Sequence, residues 1–277
     1  MKYSPKEMTN DIANNNFSFK KKFGQNFIVD ENIINNIINK SGVDKNTLVI
    51  EIGPGAGSLT YKLALSSKRV LAYEIDETVS SILNKNLEGI NNVDVVYKDF
   101  LEANVKEDLK KYTYEKLYVV ANLPYYITTP IIVKIIEENI NVDKIVVMVQ
   151  KEVGNRFKAM SGSKDYSSLS VFLNYYFDIS KIMDVSKNVF IPKPNVDSIV
   201  VEFTKKKEEI FLSNRNLFFK LIRDSFKQKR KTLRNNLIDY DLEKISLVLK
   251  KYDLDLTVRA EQIPISVFVD IANNYKE

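Results

Sequence analysis

The sequence predicts an α/β fold: a Rossmann-like, mostly parallel sheet covered by helices on both faces, followed by a small C-terminal all-helical domain. Three observations carry this reading. Short apolar runs bounded by turn residues alternate with helix-like stretches from about residue 47 to 149, the rhythm of a parallel sheet buried on both faces. The first run ends in Gly53, Gly55 and Gly57, as a strand does where a ligand must approach the backbone closely. Beyond residue 205 no strand pattern recurs, and helical periodicity takes over.

Taken in order, residues 47–52 (Thr-Leu-Val-Ile-Glu-Ile) form a buried-strand pattern, followed by a helix over 59–65 and a second strand over 69–74. A helix over 77–87 leads to a third strand at 93–97, and 117–121 is a fourth. Residues 128–139 read as a helix capped by Thr128 or Thr129, and 144–149 as a fifth strand. After a turn at Pro192 and Pro194, 199–203 alternates as a further strand. Helices are expected at about 211–225, 227–237, 242–251 and 264–275. This organisation gives a flexible N-terminal segment (1–18), a catalytic domain (19–204) and a helical domain (205–277). No internal repeat or low-complexity tract interrupts it.

A chain of 277 residues suits one large and one small domain, and an apolar fraction of 44% is ordinary for a full core. No run approaches the ~18 apolar residues of a membrane span, and the polar, Asn-rich start lacks the apolar stretch of a signal peptide. The chain has no cysteine and no histidine. These absences fit a cytosolic protein and exclude Cys-dependent carbon methylation, Ser-His hydrolysis and ordinary zinc sites. Chemistry must run through carboxylates, amides, aromatics, lysines and backbone.

The net charge of +5 is unevenly placed. Residues 1–204 carry 25 basic and 25 acidic side chains, whereas 205–234 alone carry 11 and 3. The densest part is Lys227-Gln228-Lys229-Arg230-Lys231 with Arg234. On a helix these charges would spread round the surface, with Phe226 and Leu233 left for packing. A solvated helix face and a phosphate-binding surface both fit, and an excess this dense attracts polyanions.

At the first strand-to-helix junction stands Glu51-Ile-Gly53-Pro-Gly55-Ala-Gly57. The dinucleotide fingerprint is Gly-x-Gly-x-x-Gly with pyrophosphate on a helix N-terminus. Here the spacing is Gly-x-Gly-x-Gly, and Pro54 removes one N–H from the loop. S-adenosylmethionine has no phosphate to cradle and suits that spacing better than NAD. Glu74 ends the second strand, where a carboxylate can accept both ribose hydroxyl protons. Asp99 ends the third, placed to accept from an adenine amine. Taken alone, Glu74 reads equally well as a surface acid before a helix.

The fourth strand ends in Asn122-Leu123-Pro124-Tyr125, a compact answer to methylating the exocyclic amine of a nucleobase. That nitrogen's lone pair is delocalised into the ring. An Asn carbonyl and a backbone carbonyl can each accept one amine proton and free it. The proline stiffens the turn, and the tyrosine offers an extracted base a flat face. A strand leaving into a Pro turn, with Tyr125 as rim packing, is the bland alternative.

These blocks together resemble the KsgA (RsmA) family of small-subunit (16S) rRNA adenine dimethyltransferases, from about residue 18 to 275. Phe23-Gly24-Gln25-Asn26-Phe27 resembles that family's N-terminal block, Glu51–Gly57 its glycine loop, and Asn122–Tyr125 its catalytic loop. Phe190-Ile-Pro192-Lys-Pro194-Asn-Val196-Asp-Ser198 resembles its second target-base segment, and Lys229–Leu237 the start of its helical domain. The resemblance implies a seven-stranded class I S-adenosylmethionine-dependent methyltransferase. It would dimethylate two adjacent adenosines near the 3′ end of 16S rRNA, within ribosome biogenesis. Asn26 and Ile28 would contact the cofactor, Ile28 standing where Leu is more usual. Gly53, Gly55, Glu74 and Asp99 would hold its methionine side, ribose and adenine. Asn122, with Leu123 and Pro124 in its loop, would contact cofactor and target amine. Tyr125 and Phe190 would sandwich the flipped adenine, and Lys227, Lys229, Arg230, Lys231 and Arg234 would meet RNA phosphate.

The mechanism expected is in-line displacement at the sulfonium methyl, without metal or covalent enzyme intermediate. Macrolide-resistance-type methyltransferases of 23S rRNA share this chemistry but typically carry Ile where Leu123 stands, and the Lys229–Leu237 block favours the small subunit. DNA methylation is disfavoured because no large insertion is present to read base edges. The basic stretch at 205–234 permits a docking factor for ribosome assembly, and the intact loop argues that docking is not the only role; an NAD oxidoreductase conflicts with the glycine spacing and the lack of any histidine. A monomeric cytoplasmic enzyme with no membrane partner is expected.

Overall fold

The computed structural model describes residues 4, 5, 7, 25–208 and 210–275. The expected N-terminal segment, apart from residues 4, 5 and 7, lies outside the described residues, as do Phe23 and Gly24. A two-residue strand, β1 (Phe27–Ile28), and helix α1 (Glu31–Ser41) precede the alternating region. That region runs β2 (Thr47–Ile52), α2 (Ser58–Ser66), β3 (Arg69–Glu74), α3 (Ser80–Asn86), β4 (Val93–Tyr97), α4 (Val105–Leu109), β5 (Lys116–Asn122), α5 (Thr128–Glu137) and β6 (Lys144–Gln150). Then come α6 (Lys151–Phe157), α7 (Ser168–Tyr176), β7 (Phe177–Val185), β8 (Phe190–Ile191) and β9 (Ser198–Lys205). Four helices follow: α8 (Arg215–Ser225), α9 (Leu233–Asn236), α10 (Leu242–Lys250) and α11 (Ile265–Asn274).

Seven strands form one sheet in the order β4-β3-β2-β5-β6-β9-β7. The first five are parallel, and β9 returns antiparallel to β6, from Lys144↔Thr204 to Gln150↔Ser198. Every residue of β2 is buried, which explains its unbroken apolar run: a central parallel strand has no wet face. Ile34, Ile37 and Ile38 of α1 and Leu59 and Leu63 of α2 pack in one cluster with Val49, Val70, Val120 and Val146 of the sheet. Because β2 has β3 on one side and β5 on the other, the winding direction changes between β2 and β5. The loops after these two strands therefore open a crevice at their carboxyl ends, and those loops carry the glycines and Asn122. β1 and β8 pair antiparallel as a separate ribbon, with Phe27↔Ile191 and Ile28↔Phe190.

The chain divides into two compact units, Met1–Gly154 with Ser180–Thr204, and Asn155–Ile179 with Lys205–Glu277. The composition shift at residue 205 coincides with one boundary, but residues 155–179, expected within the larger domain, group with the helices. Aromatic packing is the cause: Phe172 lies 5.2 Å from Phe219, and Tyr175 lies 5.3 Å from Phe218. The helical unit has its own core, built from Phe218, Leu221, Leu233, Ile245, Leu249 and Phe268 among others.

Two expectations change within this unit. The predicted helix over 211–225 begins only at Arg215, where the Asn214 side chain caps it by accepting from Leu217 N–H. The predicted helix over 227–237 is mostly turn: only Leu233–Asn236 is helical, and Lys227–Lys231 are not on a helix. Asn236 explains the break. Its Nδ2 donates to the carbonyls of Ser225 (2.7 Å) and Gln228 (3.2 Å), and its Oδ1 accepts from Gln228 N–H. These bonds close a loop that also spares four cations the crowding of consecutive helical positions.

Candidate active site

Three strand ends and the β1 segment converge on one open cleft of about 760 Å³, its solvent-facing part included. Its lining includes Asn26 and Ile28, Gly53 and Gly55, Glu51 and Glu74, and the whole Asn122–Tyr125 loop.

The glycine loop is shaped by necessity at two positions. Gly53 has φ +74°, and a Cβ there would meet nothing within 4 Å, so the loop presents bare backbone to open space. Gly55 has φ +56°, and a Cβ would fall 2.4 Å from the Phe27 ring, which lies across it. The β1 segment is thus seated directly on the glycine loop. Gln25 strengthens that seat by donating from Nε2 to Asp76 Oδ2 at 2.9 Å, beyond the end of β3.

Glu74 is buried, and both its oxygens are engaged: Oε2 accepts from Gly55 N–H (3.0 Å) and Oε1 from Asp76 N–H (2.8 Å). Burial raises its pKa, and these backbone donors oppose the rise. Each oxygen keeps a second lone pair, which suits a vicinal diol. Glu51, next to the loop, is 1% exposed, and its Oε2 has no hydrogen-bond partner among the described residues. Burial pushes this carboxyl up to about 8, the nearby Thr60 hydroxyl, outside hydrogen-bonding geometry, lowering it only in part, and Glu74 raising it further. Ser58 Oγ, also on the lining, is buried without a partner. A buried acid and a hydroxyl left without partners call for a ligand with a cation and hydrogen-bond donors. Sequence alone marked Glu51 only as the acid before the glycines; its solitude needed the fold.

The Asn122 loop is held from several directions. Asn122 Nδ2 donates to the Asn26 backbone carbonyl at 2.7 Å. The reverse amide orientation would set two oxygens against each other, so the bond fixes Oδ1 away from β1, where it accepts no hydrogen bond among the described residues. Leu123 N–H donates to Met148 O at 3.2 Å, while the buried Leu123 side chain anchors the turn. The Leu123 carbonyl also accepts nothing among the described residues. The Pro124 carbonyl is taken by Ile127 N–H and Thr128 Oγ1, both at 3.2 Å. Tyr125 shares a hydrogen bond with Ser198 Oγ at 2.9 Å, and burial raises its hydroxyl pKa, with Ser198 opposing. Two unengaged carbonyl acceptors therefore stand beside a half-buried aromatic ring.

Two expected residues are elsewhere. Asp99 follows β4 with Oδ1 accepting from Leu101 N–H at 2.8 Å, and it is not on the cleft lining. Phe190 is 2% exposed and sits in the core cluster with Ile28, Val185 and Val200. Its backbone pairing with Ile28 turns the ring inward, so the structure does not bring it to Tyr125. In the helical unit, Lys227, Lys229, Arg230, Lys231 and Arg234 are all exposed, with Lys229 Nζ donating to Lys164 O at 2.8 Å. Among the described residues no group of three or more acids is placed to hold a metal ion, and no helix is long and apolar enough to cross a membrane.

Comparison with known proteins identifies the family. The family described as "Ribosomal RNA adenine dimethylase" matches residues 16–277. Proteins named ribosomal RNA small subunit methyltransferase A from Staphylococcus aureus are similar throughout. One is 46% identical over 283 residues, covering 99% of this chain and 94% of its own length. Another strain's is 47% identical over 270 residues, covering 94% and 90%. Among solved structures, a dimethyladenosine transferase from Plasmodium falciparum superposes with a TM-score of 0.73 at 26% identity, over 88% of this chain and 95% of that one. The 23S rRNA methyltransferase ErmE superposes with a TM-score of 0.72 over 91% of this chain and all of its own; at 22% identity it attests the fold alone.

Proposed function

The chain belongs to the ribosomal RNA adenine dimethylase family, and from that premise we propose that its substrate is the small-subunit rRNA, methylated on the exocyclic amine of two adjacent adenosines near the 3′ end. It is an S-adenosylmethionine-dependent methyltransferase of class I fold. The choice of the small subunit rests on the names borne by relatives with nearly half their residues in common. We take it to work as a cytoplasmic monomer, with the helical unit and its exposed Lys227–Arg234 cations holding rRNA phosphate.

The observation that carries the chemistry is the bond from Asn122 Nδ2 to the Asn26 carbonyl. It leaves Asn122 Oδ1 and the Leu123 carbonyl as two fixed acceptors for the two protons of an adenine amine. An amine so held is pulled from conjugation with its ring, and its lone pair is exposed. The acceptors also stabilise positive charge as it develops on nitrogen, without reorganising at the moment of reaction. The ammonium formed is acidic enough to lose its proton to water, so no strong base is required. After the first transfer one N–H remains for the same pair of acceptors, and the new methyl must rotate aside.

S-adenosylmethionine, when bound, supplies an electrophilic methyl on a sulfonium. The residues present fit it: Gly53 gives unobstructed backbone to its methionine end, with Asn26 and Ile28 as the roof. The Glu51 carboxyl, whose Oε2 has no partner among the described residues, would receive its ammonium, and the remaining lone pairs of Glu74 would receive the ribose diol. Asp99, expected to meet the adenine amine, does not line the cleft and has no assigned part in holding the cofactor. Tyr125 gives the target base one face. Phe190, buried in the core cluster, is not placed to serve the other face.

The test supplies labelled S-adenosylmethionine with unmodified small subunits or, separately, with large-subunit RNA, and maps the modified base. Dimethyladenosine confined to small-subunit rRNA is expected; label only in large-subunit RNA would overturn the substrate assignment.

A further inference from the structure

Next to Tyr125, the loop after β5 carries a second, largely exposed tyrosine. Tyr126 is 55% exposed and forms no hydrogen bond among the described residues. Its backbone is not loose: the bonds from Ile127 and Thr128 to the Pro124 carbonyl close the turn around it. A turn closed in this way presents a large, flat ring at a fixed position beside the catalytic loop. The ring is also off the lining of the cleft. Ile75, another exposed apolar residue, lines the cleft, whereas Tyr126 does not. Tyr125 lines it too, so consecutive tyrosines address different volumes, one inside the cleft and one at its rim.

Drawing an adenine out of a strand breaks its stacking on the neighbouring bases, and those neighbours are left with bare faces. We propose that Tyr126 is the stacking platform for the nucleobase flanking the target adenine, and so a substrate-positioning residue for each transfer. A flat ring accepts any base, which makes the contact tolerant of sequence while fixing where the strand bends. Asp99 lies close enough to help burial keep the Tyr126 hydroxyl protonated, so the ring stays neutral beside an anionic backbone. The inference rests on the RNA adenine methyltransferase reading above and adds the second base to it.

Steady-state kinetics on unmodified small subunits, with Tyr126→Ala and Tyr126→Phe, test it. Base–aromatic stacking is worth about 1–3 kcal/mol, which at ~1.4 kcal/mol per decade is roughly a five- to hundredfold change. Tyr126→Ala should therefore lower kcat/KM for the subunit by five- to hundredfold. Tyr126→Phe should stay within about twofold, because the ring and not the hydroxyl makes the contact. Cofactor affinity, measured on the protein alone, should be unchanged in both, and the salt dependence of KM should keep its slope, since no phosphate contact is lost. Equal kcat/KM for Tyr126→Ala and wild type would overturn the proposal. A loss shared by Tyr126→Phe would also overturn it, as would a loss accompanied by weaker cofactor binding. Wild-type protein inactive on small subunits would instead sink the substrate reading itself, a distinguishable failure.

Discussion

Replacing Glu51 by Gln retains the shape of a buried side chain and removes its ionisation. Burial pushes this carboxyl from the ordinary 4.5 up to about 8, so between those values the folded chain holds a proton that the unfolded chain has released. The stabilisation this represents is complete below pH ~4.5 and is lost as pH rises toward 8. At about 1.4 kcal/mol per decade of proton affinity, the displacement is worth at most roughly 4–5 kcal/mol. Relaxation and water penetration around a buried charge reduce that figure, and about 2 kcal/mol at pH 8.5 is expected. Glu51→Gln should therefore unfold at a temperature higher by roughly 4–8 °C at pH 8.5, with little difference at pH 5, in ligand-free thermal unfolding across a pH series. A second measurement uses the same group. If an ammonium binds beside Glu51, the charged carboxylate becomes favoured, and cofactor binding at pH 7 should release close to one proton. Calorimetry in two buffers of different ionisation heat would show this release in wild type and its absence in Glu51→Gln. Identical pH–stability curves for the two proteins would refute the account of Glu51 as a buried, partnerless acid.

Asn122→Ala should lower kcat by at least about a hundredfold while cofactor affinity stays within a few-fold, the scale of losing one oriented acceptor; unchanged turnover would sink the mechanism. Gly55→Ala meets the Phe27 ring at 2.4 Å in a left-handed backbone, so it should destabilise by about 1–3 kcal/mol and raise the cofactor KM, both readable by thermal shift and kinetics. Replacing Lys229, Arg230 and Lys231 by Gln together should flatten the log KM against log salt slope for the rRNA substrate by up to about two to three; an unaltered slope would show that these cations do not meet phosphate.

What sequence could show here divides along the range of the interactions. Gly53, Glu74 and Asn122 were legible at their strand ends because a buried parallel strand writes itself as one local apolar run, and the residue that stops it is the next letter. Non-local pairing left no such mark. Ile28 and Phe190 stand 162 positions apart, and nothing in either neighbourhood announces that they register as a ribbon or that this buries the ring expected to face the target base. Strand β7 was hard to read because only its ends, Phe177 and Val185, are buried, and alternation breaks at Lys181 and Ile182. The basic stretch kept its charge prediction and lost its helix, since Asn236 decides the backbone from several residues downstream. Residues 155–179 went to the helical unit through ring packing that composition does not encode.

The short β1 segment bears on two features of the site at once. One run of four residues roofs the glycine loop through Phe27, grips Asp76 through Gln25, pairs with the strand carrying Phe190, and steers the Asn122 amide through the Asn26 carbonyl. The shape of the cleft and the aim of the amide thereby share one support. A substitution that loosened these four residues would disturb the seat on the glycine loop and the orientation of Asn122 together, so the two could not be tuned apart.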